Sequence, residues 1–266
     1  MCRMIGYISV DKISPIKYLY DSECSLYVQA VKGKQKDGWG LGYYIDNTLK
    51  VIKDPHTVYK KKDNFLKIIN SVKSDLLIAH VRNASNPRNL PHEKLISYEN
   101  TQPFFYKNYV FVHNGTVRVV EIENKLGKYK GLVKGVNDSE LYFYLFIKYL
   151  EEEKSVPEAL KQTEKTMWDT FKEIDREIKN PFSSLNMIFS DGEKLYAFNR
   201  YQELYDKKSI CYGDAPIFRM TYLYNGNILV VASERTNDDK WKLMDNNELL
   251  IAERKNNKIK YTIEKI

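Results

Sequence analysis

Apolar and polar residues alternate, or apolar residues run together, in short segments that are typical of β-strands. Such segments occupy Arg3–Val10, Gly38–Ile45, Leu49–Lys53, Asp75–Arg82 and Tyr109–Gly115. Asp46 and Asn47 separate the second segment from the third, and this short polar interruption predicts a hairpin turn. The first 115 residues are therefore expected to contain several strands and at least one antiparallel pair.

Helical periodicity follows, over Ser139–Glu153 and Val156–Lys179. Strand patterns then return, with hairpins predicted at Asp191-Gly192 and Asn225-Gly226 and a last strand pair within Glu248–Lys265. The order of strands, helices and strands predicts an α+β fold, with two antiparallel sheets packed on each other and helices outside. Because no linker or repeat interrupts the chain, residues 1–266 are expected to form a single domain.

Composition narrows the class of protein. Hydrophobic residues make up 43% and charged residues 29% of the 266 residues, as in ordinary globular proteins. No apolar run approaches the ~20 residues of a membrane-spanning helix, and no signal peptide is recognised, so a cytoplasmic protein without a membrane partner is expected. The net charge of +7 is spread among interleaved acidic residues, which favours a solvated surface over a nucleic-acid site.

Cysteine and histidine spacing gives no sign of a metal or a cofactor. Cys2, Cys24 and Cys211 are odd in number and irregularly spaced, so neither a disulfide framework nor a zinc site is predicted. The four histidines form no HExxH or comparable ligand pattern. We therefore expect metal-free chemistry.

Cys2 directly follows the initiator methionine in the opening sequence MCRM. Removal of Met1 would place a thiol and a free α-amine on one residue, and a thiol needs a neighbouring base to react as thiolate. The α-amine, with an ordinary pKa of ~7.7–8.0, can act as that base near neutral pH. The alternative is that Cys2 is a small core residue.

Several short motifs accompany this cysteine: KDGWG, AHVRNAS, ENTQPF, VHNGTV and NDSE, with a weaker similarity in SERTNDDKWKLMDNNELLIAE near the end of the chain. Together they resemble the class II glutamine amidotransferases, N-terminal-nucleophile hydrolases, and within them the small stand-alone group that begins MCRM. The resemblance implies a four-layer αββα sandwich, an N-terminal cysteine nucleophile and a glutamine or γ-glutamyl amide substrate.

The resemblance also assigns roles to single residues. Asn114 and Gly115 would form the oxyanion hole, since a side-chain amide and a backbone N–H can both donate to a tetrahedral intermediate. An ordinary type I′ turn is the alternative for Asn-Gly. Arg82 would bind the substrate α-carboxylate and Asp138 its α-ammonium, the alternatives being a surface ion pair and a helix N-cap. His80 and His113 are expected to be hydrogen-bonded core residues.

The sequence departs from the family pattern at two positions. Gln102 replaces a histidine of close relatives, and Asn137 replaces the more usual serine or threonine before Asp138. Since no second domain is expected to use ammonia, the protein would be a stand-alone γ-glutamyl hydrolase or a glutaminase subunit of a separate synthase. The alternative from another class is a non-catalytic binding protein that uses its basic surface. The sequence predicts no oligomeric state.

Overall fold

The computed structural model describes residues 1–174, 176–202 and 207–266. The strands of this part of the chain are β1 Arg3–Ile13, β2 Trp39–Ile45, β3 Thr48–Asp54, β4 Ser74–Val81, β5 Phe104–Tyr106, β6 Tyr109–Asn114, β7 Asn186–Ser190, β8 Lys194–Asn199, β9 Thr221–Tyr224, β10 Ile228–Ala232, β11 Lys242–Leu243, β12 Glu248–Lys255 and β13 Lys258–Lys265. The α-helices are α1 Leu26–Lys32, α2 Lys62–Ser71, α3 Asp138–Glu153 and α4 Val156–Glu173. Shorter helical turns cover Lys17–Asp21, His92–Leu95, Val120–Lys125 and Gly127–Leu132.

Two antiparallel sheets form the centre of the fold. The seven-stranded sheet has the order β11-β9-β10-β1-β4-β2-β3, and the six-stranded sheet has the order β13-β12-β8-β7-β6-β5. β1 lies between β10 and β4, and Arg3 pairs with Val81 at the end of β4. The residues just before β1 and just after β4 therefore lie side by side at one edge of the sheet.

Both faces of β1 are buried, because successive side chains point to opposite sides of a strand. Met4 and Ile8 pack into the apolar layer between the two sheets, and Ile5 and Tyr7 pack into the layer beneath α1 and α2. A third apolar cluster joins the six-stranded sheet to α3 and α4. The predicted α+β, four-layer αββα sandwich is confirmed.

The predicted hairpin turns are also found. Asp46 and Asn47 both have positive φ, 48° and 62°, as a type I′ turn requires, and Gly192 and Gly226 have φ of 97° and 94°. α4 ends at Glu173, earlier than predicted, because Ile174 is extended. Residue 175 of the predicted helix lies outside the described residues, and 176–179 are not helical.

None of the helices in residues 1–174, 176–202 and 207–266 combines the length and the apolar character that crossing a bilayer would need.

Candidate active site

Cys2 lies where β1 begins, and its side chain is 7% exposed. The Asn83 N–H donates to Cys2 Sγ at 3.4 Å, and the Asn83 carbonyl oxygen is 3.5 Å from the same sulfur. Burial raises the pKa of the Cys2 thiol, whereas the nearby Met1 ammonium and the contact with Asn83 lower it. The thiol is thus held by the segment that follows β4, as the pairing of β1 with β4 requires.

Met1 lines an open cleft of about 270 Å³, named here the N-terminal cleft. Burial lowers the pKa of the Met1 ammonium. With Met1 attached, the Cys2 nitrogen is a peptide nitrogen and has no basic lone pair at neutral pH. The cleft is lined by Met1, Asn83, Ala84, Ser85, Gly115, Thr116, Ser183, Lys207 and Phe218.

Arg82 follows β4 and is 2% exposed. Its Nη1 donates to the carbonyl oxygens of Leu95 at 2.7 Å and Asp37 at 3.3 Å. Its other guanidinium nitrogens make no side-chain hydrogen bond to any residue in 1–174, 176–202 or 207–266, and no ion pair within 4 Å is found there. The alternative of a surface ion pair does not hold. Burial lowers the pKa of Arg82, and the negative charges of Cys2, Asp37 and Asp138 partly offset this effect. The guanidinium therefore interacts electrostatically with Cys2 and Asp138.

Asp138 is fully buried in the first turn of α3. Its Oδ1 accepts from Ser85 Oγ at 2.6 Å, and its Oδ2 accepts from the Val117 backbone N–H at 2.7 Å. The N-cap of α3 is Asn137, whose side-chain oxygen accepts from the Ser139 N–H at 3.0 Å. The departure at position 137 thus supplies the cap, and the alternative that Asp138 is only an N-cap is wrong.

Asn114 ends β6, and its side chain is 1% exposed. Neither atom of its amide group has a hydrogen-bond partner in the described part of the chain. Burying an unpaired amide is costly, so this group is a candidate to meet a bound molecule.

Gly115 lies next to Asn114 and lines the N-terminal cleft. Neither residue has positive φ, so the alternative of a type I′ turn is wrong. A Cβ at Gly115 would lie 2.0 Å from the Ser184 carbonyl oxygen and 2.6 Å from His113 Nε2. Glycine is therefore required at position 115 for close packing.

The two buried histidines differ in their contacts. His113 Nδ1 lies 2.8 Å from Ser139 Oγ and its Nε2 lies 2.9 Å from the Ser184 carbonyl oxygen, as expected for a hydrogen-bonded core histidine. His80 was expected to be bonded as well, but both of its ring nitrogens lack a partner among the described residues. Burial, with the Arg82 charge second, lowers the pKa of His80 to about 3. No hydrogen bond joins either imidazole to Cys2 in the described chain.

Gln102 packs against β6 and does not line the N-terminal cleft. Its Oε1 accepts from the His113 backbone N–H at 2.6 Å and its Nε2 donates to the His113 carbonyl oxygen at 3.2 Å. Both ends of the amide are thus occupied by the backbone just before Asn114. The glutamine that departs from the family pattern supports the strand that carries the site.

Several residues of the site were assigned no role from the sequence, including Ser85, whose position matches one near the substrate in the family. Ser85 bonds Asp138, and Asp37 Oδ2 accepts from the Ala84 N–H at 2.8 Å, which fixes the turn after Arg82. Asp37 belongs to KDGWG, a motif given no role from the sequence. Lys207 and Phe218 come from a distant segment with no recognisable motif.

The cysteine prediction is wrong, because a disulfide joins Cys24 and Cys211. The Cys24 N–H donates to the Thr236 carbonyl oxygen at 2.9 Å, and the Cys211 N–H donates to Glu234 Oε1 at 3.2 Å. The segment after β10 therefore brings together two cysteines that are 187 residues apart, which their spacing cannot reveal. Glu234 Oε1 also lies 3.2 Å from Cys24 Sγ.

The disulfide anchors the segment 207–218, named here the cleft segment, since its two ends, Lys207 and Phe218, line the N-terminal cleft. Within it, the Ile217 carbonyl oxygen accepts from Arg3 Nη1 at 3.4 Å. The same Nη1 donates to the Cys2 carbonyl oxygen at 3.1 Å. One buried arginine thus joins the cleft segment to the backbone of Cys2.

Comparison with solved structures supports the fold. A glutamine aminotransferase class-II domain protein from Silicibacter pomeroyi superimposes with a TM-score of 0.66 at 19% identity, over 98% of each chain. Glutamine phosphoribosylpyrophosphate amidotransferase from B. subtilis superimposes with a TM-score of 0.60 at 16% identity, over 98% of this chain and 49% of that one. At these identities the likeness concerns the fold alone.

Sequence comparison identifies relatives and a family. An uncharacterized protein of Methanocaldococcus jannaschii, MJ1515, is 27% identical over 94% of this chain and 69% of its own. The probable glutamine amidotransferase DUG3 of Saccharomyces cerevisiae is 30% identical over 44% of this chain and 34% of its own. The putative glutamine amidotransferase YafJ of Escherichia coli is 26% identical over 62% of this chain and 61% of its own. The family described as class-II glutamine amidotransferases matches residues 1–264. The chain therefore belongs to the class II glutamine amidotransferases.

Proposed function

We propose that residues 1–266 act as one amidohydrolase domain that cleaves the γ-carboxamide of glutamine, or of a γ-glutamyl compound, through a thioester on Cys2. The observation that carries this proposal is that a free cysteine, Cys2, and a buried amide without a partner among the described residues, Asn114, each adjoin a residue that lines the N-terminal cleft, Met1 and Gly115 respectively. Membership of the family supplies the substrate class. Arg82 and Asp138 supply the charges that complement an amino-acid end.

Substrate binding would use these two charges. The donors of Arg82 that make no bond to the described part of the chain can take an α-carboxylate, and arginine's planar fork suits that group. Asp138 keeps its carboxylate beside Ser85, where it can attract an α-ammonium. The charges of both residues act on the Cys2 thiol, which is consistent with a substrate held between them and the sulfur.

The reaction would begin after removal of Met1, which frees the Cys2 α-amine. That amine accepts the thiol proton, and the thiolate attacks the γ-carbonyl carbon. Asn114 Nδ2 and the Gly115 N–H donate to the oxyanion that forms. The carbon–nitrogen bond then breaks, the α-amine returns the proton to the departing ammonia or amine, and a thioester remains. Water hydrolyses the thioester to glutamate and restores the thiol.

Direct assay tests this proposal. Protein whose Met1 is removed, as checked by intact mass, should release glutamate from glutamine, glutathione or another γ-glutamyl peptide. Added hydroxylamine should yield γ-glutamyl hydroxamate, because it captures a thioester. Cys2→Ala should abolish both products while leaving the circular dichroism spectrum unchanged.

Two outcomes would count against the mechanism. Full activity from protein that quantitatively retains Met1 would exclude the α-amine as the base. No activity on any γ-glutamyl compound, together with a salt-dependent mobility shift on DNA or RNA, would favour a binding protein that uses its basic surface. Activity only after addition of a synthase would instead identify a glutaminase subunit that passes ammonia to that partner.

A further inference from the structure

A second open cleft, of about 330 Å³, is named here the Lys53 cleft. It is formed where β3 ends, where β5 begins and where α3 begins. Its volume is within the range of small-molecule sites. Its walls are Lys53, Tyr98, Glu99, Phe104, Phe105, Leu132, Lys134, Glu140 and Tyr144.

Aromatic rings dominate these walls. Tyr98 and Phe105 are 46% and 44% exposed, and they belong to the small set of large apolar side chains that the described residues leave open to solvent. Phe104 and Tyr144 are buried beneath them. Exposed rings beside a concave surface are typical of a site for a flat apolar molecule.

The cleft also holds a lysine without a direct counter-ion. Lys53 Nζ lies 4.3 Å from the centre of the Tyr98 ring, and 6.0 and 5.9 Å from the centres of the Phe104 and Phe105 rings. No carboxylate of the described chain lies within ion-pair distance of Lys53 or of the exposed Lys134. Two ammonium groups at one cleft therefore remain available to an anion.

The acidic groups at the cleft limit how much negative charge a ligand can carry. Glu140 is buried, and its carboxylate accepts from the backbone N–H groups of Lys134 at 2.9 Å and Gly135 at 2.8 Å. Glu99 is exposed at the rim. Burial lowers the pKa of Lys53 to about 8, whereas Glu140 and Glu99 raise it. A single negative charge suits this setting better than a dianion does.

We propose that the Lys53 cleft binds a small aromatic carboxylate, with its ring between Tyr98 and Phe105 and its carboxylate on the Lys53 ammonium. This site is separate from the N-terminal cleft, since the two clefts share no lining residue. The proposal therefore does not depend on the proposed amidohydrolase reaction.

Fluorine NMR of 4-fluorophenylacetate tests the proposal, with Cys2→Ala protein included so that turnover plays no part. We expect saturable binding to both proteins, and binding at least about tenfold weaker in Lys53→Met, the scale of losing one charge-assisted contact. Lys50→Met is the matched control, because Lys50 is an exposed lysine on the same strand. Tyr98→Ala should also weaken binding, and this exposed side chain can be removed without disturbing the core.

Two further comparisons define the ligand class. The affinity should fall as the pH rises from 7 to 9, because an ammonium with a pKa of about 8 loses its proton in this interval. 4-Fluorophenethylamine, which replaces the carboxylate by an ammonium, should not compete. The proposal is overturned if 4-fluorophenylacetate shows no saturable binding, or if Lys53→Met and Tyr98→Ala both bind it as tightly as the unaltered protein.

Discussion

Ser85 Oγ donates to Asp138 Oδ1 at 2.6 Å and so joins the turn after β4 to the first turn of α3. The two residues are 53 positions apart in the chain. The bond fixes one carboxylate oxygen, while the Val117 N–H fixes the other. An anion held this way is oriented before any substrate arrives, which lowers the cost of binding an ammonium group.

This arrangement predicts a graded loss of substrate affinity. Asp138→Asn keeps an acceptor for Val117 but removes the charge, so kcat/KM should fall by roughly 10²-fold, mainly through KM. Ser85→Ala leaves the charge in place and should cost roughly tenfold or less. Steady-state kinetics on glutamine check both values. A larger effect from Ser85→Ala than from Asp138→Asn would contradict the assignment.

Arg82→Ala should lower kcat/KM by roughly 10²-fold or more, because a charge-assisted pair with the substrate carboxylate is lost. Since Arg82 also bonds the Leu95 carbonyl oxygen, its contribution to the fold must be separated from its contribution to binding. Alkylation of Cys2 by a small uncharged reagent should still proceed in the variant, only somewhat more slowly, because the Arg82 charge that helps to lower the pKa of the Cys2 thiol is lost. Arg82→Lys should restore only part of the activity, because lysine lacks the bidentate fork. Unaltered kinetics in Arg82→Ala would exclude this residue from the site.

Asn114→Ala should lower kcat by roughly 10²–10³-fold with little change in KM, since the oxyanion exists only after attack on the carbonyl. Because the Asn114 amide has no hydrogen-bond partner among the described residues, its removal should not destabilise the protein and is expected to raise the unfolding midpoint. Kinetics and urea unfolding together check this pair of effects. A rise in KM alone would indicate a ground-state contact instead.

The sequence predicts the strands of this fold well where turns have strong signals, as at Asp46-Asn47 and Asp191-Gly192. It predicts neither α1 nor α2, because seven and ten residues are too short for a clear helical period. Within the site, the residues next to β1, β4 and β6 carry recognisable motifs. Lys207 and the Cys24–Cys211 disulfide depend on how distant segments meet, which a local pattern does not encode.

His80 should make the stability of the protein depend on pH. The pKa of His80 is about 3 in the folded protein and about 6.5 in the unfolded chain. At a pH between these two values, the imidazole is therefore protonated only in the unfolded chain. The free energy of unfolding should therefore fall as the pH falls from 6.5 towards 3. His80→Leu should flatten this dependence, whereas His56→Leu, at an exposed histidine, should not. Urea unfolding at pH 4.5 and 7 measures the difference, and equal slopes in all three proteins would refute it.

The Cys24–Cys211 disulfide should contribute strongly to stability. A disulfide that closes a loop of 187 residues lowers the conformational entropy of the unfolded chain. On this ground it should raise the free energy of unfolding by about 5 kcal/mol. Dithiothreitol should lower the urea midpoint of the unaltered protein. Cys211→Ser should start from the lower midpoint and show no further response to the reductant. Identical midpoints with and without reductant would contradict this expectation.

The same disulfide divides the chain mechanically. If the two termini were pulled apart with the bond intact, only the residues before Cys24 and after Cys211 could lengthen. β1 and β9–β13 lie in these outer segments, whereas β2–β8 and all four α-helices lie inside the closed ring. Tension would therefore pull β1, the strand that directly follows Cys2, from the middle of its sheet while the helices and β5–β8 remained inside the covalently closed ring. The part of the molecule that includes Cys2, the proposed nucleophile, is therefore the part least protected against force.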